Sequence, residues 1–441
     1  MYKNIIAQPV TGQLKKDILS GKLAPSMLFF GPLASGKGST AIETARILSC
    51  EEKKAEWNCS CGACSRHRLL VHPDLAMIGP RAFAAEIAAS RKALSYEPSS
   101  EAARMFFVRS IRKLLSRFSP AVWEYESKSG RANPLALLQT IEEDLNSLEF
   151  EKDDKQEKLI DSLVKNSIKL EDEALSEIIP IGQIRMVSYW SRLTPTGKKK
   201  TLIIENANQM KDEGRNSLLK LLEEPPSTIN IILCCQRKEV ILPTILSRIR
   251  QYRFIARSAD EEQDIIRRVF KKPQAEQAEK DTEKSSSALI ASYLGSFLPQ
   301  PPDKMLPLAA FFAAAAARSA AVSASKQGQI PAGPKALGEF CAPIAEVAGL
   351  ERTVNAKETI AELVSRSNNF EGRSFSLFLQ MTLNLVSWSF KNHDSDPNFI
   401  DCCTLWSKRL NEAHTAFSVW NQKPELILES LFYRVREDMS Q

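Results

Sequence analysis

The chain has 441 residues, 43% hydrophobic and 25% charged, the composition of a folded globular protein and not of a disordered chain or a fibre. A net charge of +6, from 59 Lys and Arg against 53 Asp and Glu, permits contact with nucleic acid without demanding it. The longest apolar run, near residues 305–317, is largely alanine and ends at Arg318, short of the roughly 20 residues of a membrane span, so no membrane partner is expected. Met1 does not open a basic stretch, apolar core and cleavage site, so a cytoplasmic protein is expected. Of nine cysteines, four crowd into residues 50–64, which in an intracellular chain points to a metal site before a disulfide framework.

In chain order, residues 27–31 read as an apolar strand ending in glycine, followed by a helix over 38–48, the cysteine cluster, and a second short strand over 75–78. Residues 81–180 are rich in Ala, Lys, Glu and Leu. Helical spacing such as Ile111, Leu114, Leu115 and Phe118 marks a helical insertion, most simply a solvated excursion without chemistry of its own. Alternation resumes with a helix over 181–193, a strand over 201–205, a helix over 212–224 and a strand over 230–235. A short helix over 245–250 and a last strand over 251–255 follow, which together predict a parallel α/β sheet. Beyond 257 the pattern is helical: an amphipathic stretch over 260–270, a polar loop over 271–287, helices over 288–294 and 306–324, a linker over 327–334, and helices from about 336 to 436. Trp388, Phe390, Trp406, Phe417 and Trp420 fall at helical spacings and are expected in the core there. Cys234 and Cys235 are expected to be buried strand thiols, and His393 and His414 carry no site argument.

Gly31-Pro-Leu-Ala-Ser35-Gly36-Lys37 fits the first seven positions of a phosphate-binding loop. Glycines there let backbone N–H groups turn toward phosphate oxygens, the next helix offers its N-terminus, and Lys37 adds a point charge. The eighth position calls for a hydroxyl to bind Mg²⁺ and is Gly38. Ser39 and Thr40 come one and two residues later, at least about 100° round a helix. ATP, if bound, is therefore expected with weakened Mg²⁺ support. The strand at 202–205 ends in Glu205, at the position that orients the metal, and Asn206, where an acid would activate water. Asparagine takes no proton at neutral pH, so hydrolysis at this site is expected to be slow or absent. A plainer reading of Glu205 is a residue that merely closes a strand.

The cysteine pattern is Cys50-x8-Cys59-x-Cys61-x2-Cys64-x2-His67, able to make a closed tetrahedral site for structural Zn²⁺. Two registers stay open: Cys50, Cys59, Cys61 and Cys64, or Cys61, Cys64 and His67 with Cys50 or Cys59 as the fourth. Free thiols without metal are the third reading.

Two stretches are more specific. Asn216-Ser-Leu-Leu-Lys220-Leu-Leu-Glu223-Glu224-Pro225-Pro226 and Leu242-Pro-Thr-Ile-Leu-Ser247-Arg248 resemble the "NALLKTLEEPP" and "LPxTILSRC" segments of bacterial DNA polymerase III clamp-loader AAA+ subunits. The opening, with Gln8 and Leu-Ala-Pro-Ser-Met-Leu-Phe-Phe-Gly-Pro, and the ending from Trp420 to Leu431 are also similar to that family. The resemblance covers about residues 1–80 and 181–257, more weakly 258–441, and nothing visible in 81–180. It implies an α/β AAA+ P-loop domain over 1–257 with a zinc module near 50–67, a helical lid over 258–327, and a helical collar over 328–441 that joins a ring of five. It also implies work in DNA replication with gamma/tau and delta subunits, the sliding clamp and primer–template DNA. The family's distance from the last cysteine to His72 favours the all-cysteine register.

Within the family, the gamma/tau subunits hydrolyse ATP. Gly38, Asn206, and Phe297-Leu298-Pro299 in place of a lid arginine after Gly295-Ser296 depart from them and favour the delta-prime role, with a degenerate site of its own. The resemblance then makes Arg248 an arginine finger on a neighbour's ATP, although the family's cysteine after it is Ile249 here. A surface helix charge is the plainer reading of Arg248. An active gamma/tau-type ATPase, with Ser39 and Glu205 holding Mg²⁺, is the alternative. A stand-alone P-loop enzyme is the third, with no acceptor motif to support it.

Overall fold

The computed structural model describes residues 1–52, 54–80, 82–123, 134–149, 154–273, 289–297, 302–325, 332–367, 370, 374–392, 397–418 and 422–440. The chain divides into two compact units, Met1–Phe297 and Leu298–Gln441. In the first, the order is α1 (Val10–Leu19), β1 (Ser26–Phe30), α2 (Lys37–Ser49), α3 (Gly62–Arg68), β2 (Leu75–Ile78), α4 (Ala84–Tyr96), α5 (Glu101–Leu115), α6 (Leu135–Asn146), α7 (Asp154–Ala174), α8 (Ile181–Trp190), β3 (Lys200–Ile204), α9 (Asp212–Glu223), β4 (Ile229–Cys235), α10 (Pro243–Leu246), β5 (Arg250–Arg253), α11 (Ala259–Val269) and α12 (Leu289–Gly295).

The five strands make one parallel sheet in the order β2-β3-β4-β1-β5, with Leu28 opposite Leu233 and Met77 opposite Ile203. Their near-continuous apolar runs are what a parallel sheet covered on both faces requires. Alternate residues divide between two cores. Leu28, Leu202, Ile204, Ile231 and Leu233 pack with Ile184, Val187, Leu218 and Leu222 of α8 and α9. Met27, Phe29, Ile203, Ile232 and Cys234 pack with Val10, Leu14, Ala41 and Ala45 of α1 and α2. Cys234 and Cys235 are buried as expected. The fifth strand begins at Arg250 because α10 starts early: Pro243, with φ preset for a first helical turn, opens it and the helix is spent by Ser247.

The helices within residues 81–180 are not a solvated excursion. Ile87, Phe107, Ile111, Leu114, Ile141 and Leu163 are fully buried in a core of their own. The carboxylate of buried Glu171 on α7 accepts from the N–H groups of Phe83 (3.0 Å) and Ala84 (2.7 Å), closing the N-terminus of α4. These helices also pack on α11 and α12, where Phe106 meets Phe270 edge-on at 5.5 Å and Ala89 lies among Ile265, Ile266 and Ile290. Within residues 81–180, residues 81, 124–133 and 150–153 lie outside the described residues, as does most of the polar loop at 271–287.

The second unit is helical: α13 (Pro302–Ser325), α14 (Ala332–Glu346), α15 (Ala356–Arg366), α16 (Ser374–Asn392), α17 (Pro397–Ser418) and α18 (Pro424–Ser440). Its α14 starts inside the stretch expected to be a linker, because Pro334 is tolerated in a first helical turn; residues 327–331 are outside the described residues. The segment Lys304–Ser325 is long and apolar enough to cross a membrane, yet 67% of its most apolar stretch is buried. It is the unit's central helix: Phe312 meets Phe378, Trp406 and Phe432 edge-on at 5.6, 6.2 and 6.0 Å. Trp406 is buried and Phe417 packs against this core, but Trp388 does not: it is 44% exposed, because helical spacing alone does not say which face meets a neighbour. Phe390 and Trp420, the latter within the similar ending, fall outside the described side chains, and His393 outside the described residues.

Because Phe107 fills the core of residues 81–180, Phe107→Ala is expected to destabilise the first unit by about 3–5 kcal/mol in a denaturant titration. A loose surface excursion would lose less than about 0.5 kcal/mol.

Candidate functional site

The turn of residues 31–37 leaves the C-terminal end of β1 and feeds straight into α2. Gly36, at the N-cap, has φ 89°, a left-handed conformation that glycine adopts without strain. The Lys37 ammonium donates to the carbonyls of Gly31 (2.7 Å) and Pro32 and to Ser35 Oγ (3.1 Å), while Ser35 Oγ donates to Pro32 O at 2.8 Å. Burial lowers the pKa of Lys37. Arg257, just beyond β5, joins this turn to the N-terminal segment: Nη1 donates to Ala34 O at 2.5 Å and Nε to Ile6 O at 3.1 Å. Gln8 fixes the same edge by bonding both the carbonyl (2.9 Å) and the N–H (3.1 Å) of Ile255.

Glu205 closes β3, its N–H donating to Ile78 O at 2.8 Å, and its side chain reaches over the first turn of α2. A Cβ at Gly38 would stand 2.9 Å from Glu205 Oε1, so glycine is what lets this carboxylate sit where it does. Of the neighbouring hydroxyls, Thr40 Oγ1 donates to Gly36 O at 2.8 Å and Ser39 is exposed. Asn206 takes a left-handed φ of 48°, a conformation asparagine tolerates better than most residues.

Two cations from α5 and the turn after it meet Glu205. Arg117, fully buried, pairs through Nη2 with Oε2, and Lys113 Nζ lies 3.6 Å from Oε1 and 2.9 Å from Glu86 Oε2. Phe83 lies beneath both, its ring 5.3 Å from the Arg117 guanidinium and 6.0 Å from the Lys113 ammonium. Burial alone would raise the Glu205 carboxyl; the charges of Lys113 and Arg117 outweigh it and hold the carboxyl below the usual carboxylate range. Burial would likewise lower Lys113, but Glu205 and Glu86 push it up.

At the far end of α2, the sulfurs of Cys50, Cys59, Cys61 and Cys64 all lie within 4.8 Å of one another. Cys50 Sγ stands 3.7 Å from Cys59 Sγ and 4.0 Å from Cys61 Sγ, against the roughly 3.8 Å edge of a tetrahedron built on Zn–S bonds of about 2.3 Å. The four thiols therefore fit a zinc ion. His67, the other candidate ligand, is buried outside this group and stacks on His72 at 4.2 Å. Burial raises the Cys61 thiol, but the backbone N–H groups of Glu51 and Cys64 bring it down to about 7. Behind the sulfurs, buried Arg46 donates to Cys64 Sγ at 2.9 Å while Glu43 holds its Nε and Nη2, each at 2.8 Å. A tetrathiolate zinc carries excess negative charge, and a buried guanidinium on one sulfur offsets part of it.

The structure thus brings Gly31, Ser35, Gly36, Lys37, Gly38 and Ser39 to one corner with Glu205, and the four cysteines to another. Arg248 joins neither. It is 36% exposed at the end of α10, its Nη1 on Thr244 O (2.6 Å) and its Nη2 on Glu223 of α9 (2.9 Å). Phe297 packs beside Tyr293 at 5.0 Å, while Leu298 and Pro299 lie outside the described residues. Lys113, Arg117, Arg257 and Arg46 escape a reading of the sequence. Only Arg46 had a signal: a cation that falls within one helical turn of Cys50.

A parallel sheet in this order, a glycine turn opening the helix after β1, a tetrathiolate cluster and a helical remainder define an α/β protein of the AAA+ class. The chain belongs to the DNA polymerase III delta-subunit family, whose model, described as "DNA polymerase III, delta subunit", matches residues 6–122 and 132–258, more than half of the chain. It is therefore a clamp-loader family protein. The match runs through most of residues 81–180, which show no visible resemblance by motif. A crystal structure of a DNA polymerase III gamma subunit-related protein from Thermotoga maritima aligns over 97% of this chain and 99% of its own at 14% identity, with a TM-score of 0.31, too low to carry an argument. No curated protein matches the chain significantly.

The purified chain is expected to carry about one zinc per molecule. Arg46→Met is expected to weaken zinc about 10–100-fold in a chelator competition, with Cys64→Ser losing it altogether.

Proposed function

We propose that this chain is the delta-prime-like subunit of a DNA polymerase III clamp loader, which helps place the sliding clamp on primed DNA. Its own nucleotide site is degenerate, and Arg248 serves a neighbouring subunit's ATP. The observation that carries the reading is the corner at Gly38. The residue that should supply a metal-binding hydroxyl is a glycine, and the acid that should hold the metal, Glu205, lies over it in an ion pair. Asn206 beside it takes no proton, so neither metal activation nor base catalysis is provided by this chain's own residues.

Arg248 suits a role in trans. Its charge is at the surface, and its one acidic partner among the described residues, Glu223, is itself half-exposed, so the pair is weak and readily exchanged for a phosphate. A guanidinium delivered to the transferring phosphoryl stabilises charge that develops only in the transition state. The same reading makes α11 and α12 a lid, gamma/tau and delta subunits the ring partners, and primer–template DNA a ligand of the whole assembly; the collar expected over 328–441 takes in α13 as well, which was expected in the lid over 258–327 but is the central helix of Leu298–Gln441. The gamma/tau-type alternative would need Glu205 to leave its cations and Ser39 to turn inward.

Arg248→Ala is expected to lower the DNA- and clamp-stimulated ATPase of the assembled complex by about 10³-fold at the affected site, with assembly unchanged by gel filtration. The purified chain alone is expected to show no turnover above background. Unchanged turnover in the complex, or brisk turnover by the chain alone, would overturn the reading.

A further inference from the structure

We propose that Arg117 and Lys113, from α5 and the turn after it, occupy the place of a divalent cation on Glu205, so that the nucleotide corner of this chain is closed to Mg²⁺. The inference deepens the degenerate-site reading and names the residues that enforce it.

Three observations converge. First, Glu205 is the one acid at the end of β3 beside the glycine turn, and both its oxygens are taken: Oε2 by Arg117 Nη2 and Oε1 by the Lys113 ammonium at 3.6 Å. Second, Arg117 is held for its charge and not by a full set of acceptors. It is fully buried, and its Nε and Nη1 have no hydrogen-bond partner among the described residues. Orphaned N–H groups are costly, and the guanidinium is retained there against that cost. Third, the surroundings are fitted to this pair. A Cβ at Gly79 would stand 3.2 Å from Arg117 Nη2, a Cβ at Gly38 would stand 2.9 Å from Glu205 Oε1, and Phe83 presents its ring to both cations.

Mg²⁺ needs oxygen ligands at about 2.0–2.1 Å. A carboxylate already engaged by two cations offers it little, and the cations repel it. Phe83 and α4 are in turn fixed by Glu171 of α7, so the plug is built into the folded layer of residues 81–180.

The test is binding of a fluorescent ATP analogue to the full chain by anisotropy, with and without millimolar Mg²⁺. Wild type is expected to show no Mg²⁺ dependence beyond about twofold, whether its affinity is measurable or not. K113M/R117M, which frees Glu205, is expected to gain at least about fivefold affinity on adding Mg²⁺, and K113M/R117M/E205Q to lose that gain. If the double variant melts early with Glu205 uncompensated, added Mg²⁺ with the analogue is expected to raise its Tm, and not that of the triple variant. A wild-type chain whose affinity rises tenfold with Mg²⁺ and loses this in E205Q would overturn the inference. So would a folded double variant indifferent to Mg²⁺. Neither result depends on Arg248, whose effect in the assembled complex tests the proposed function separately.

Discussion

The carboxylate of Glu205 is where three parts of the chain far apart in sequence are made to agree. It ends the interior strand β3, overhangs the first turn of the helix that follows the glycine loop, and receives Arg117 and Lys113 from helices that otherwise have their own core. A largely buried carboxylate without compensation is costly, so each of these parts is constrained by the others. Glycine at 38 and at 79 follows from the crowding, since a side chain at either position would enter the space of the ion pair. The helices of residues 81–180 are thereby tied to the nucleotide corner by charge and to α11 and α12 by the Phe106–Phe270 contact.

Helix α2 carries a second constraint at its other end. Lys37 opens it and Cys50 follows its last residue, with the buried Glu43–Arg46 pair between them reaching Cys64. The four-cysteine cluster and the glycine turn are thus at the two ends of one 13-residue rod. A metal bound there would add position and not bulk stability, since the sheet already has an apolar core on each face.

What the sequence made legible follows from how local each signal is. Apolar runs announced the parallel sheet, because strands covered on both faces need no alternation to be recognised. The glycine turn and the cysteine cluster are written in consecutive residues, and so were found. The pairing of Arg117 with Glu205 spans 88 residues; Glu205 is marked locally as an acid at a strand end, but nothing local marks Arg117 as its partner. Trp388 and Trp406 sit at similar helical spacings, yet one is exposed and the other buried, because the neighbour that decides the face comes from elsewhere in the chain.

The same reasoning separates two kinds of loss at a nucleotide site. A missing group, such as the hydroxyl at 38 or the acid at 206, lowers the rate but leaves a cavity that a ligand can still enter. A filled position is different in kind: the attraction that would draw a metal ion is satisfied internally, and restoring one missing group does not restore the metal. At Glu205 the filling cations come from a core that the protein keeps for its own stability. The closure then persists for structural reasons even where no selection acts on the site itself. Arg248 is the counterpart on the surface, a guanidinium whose one carboxylate partner among the described residues is half in water, and the contrast between the two arginines follows from burial: one charge is spent inside the fold, the other stays at the surface.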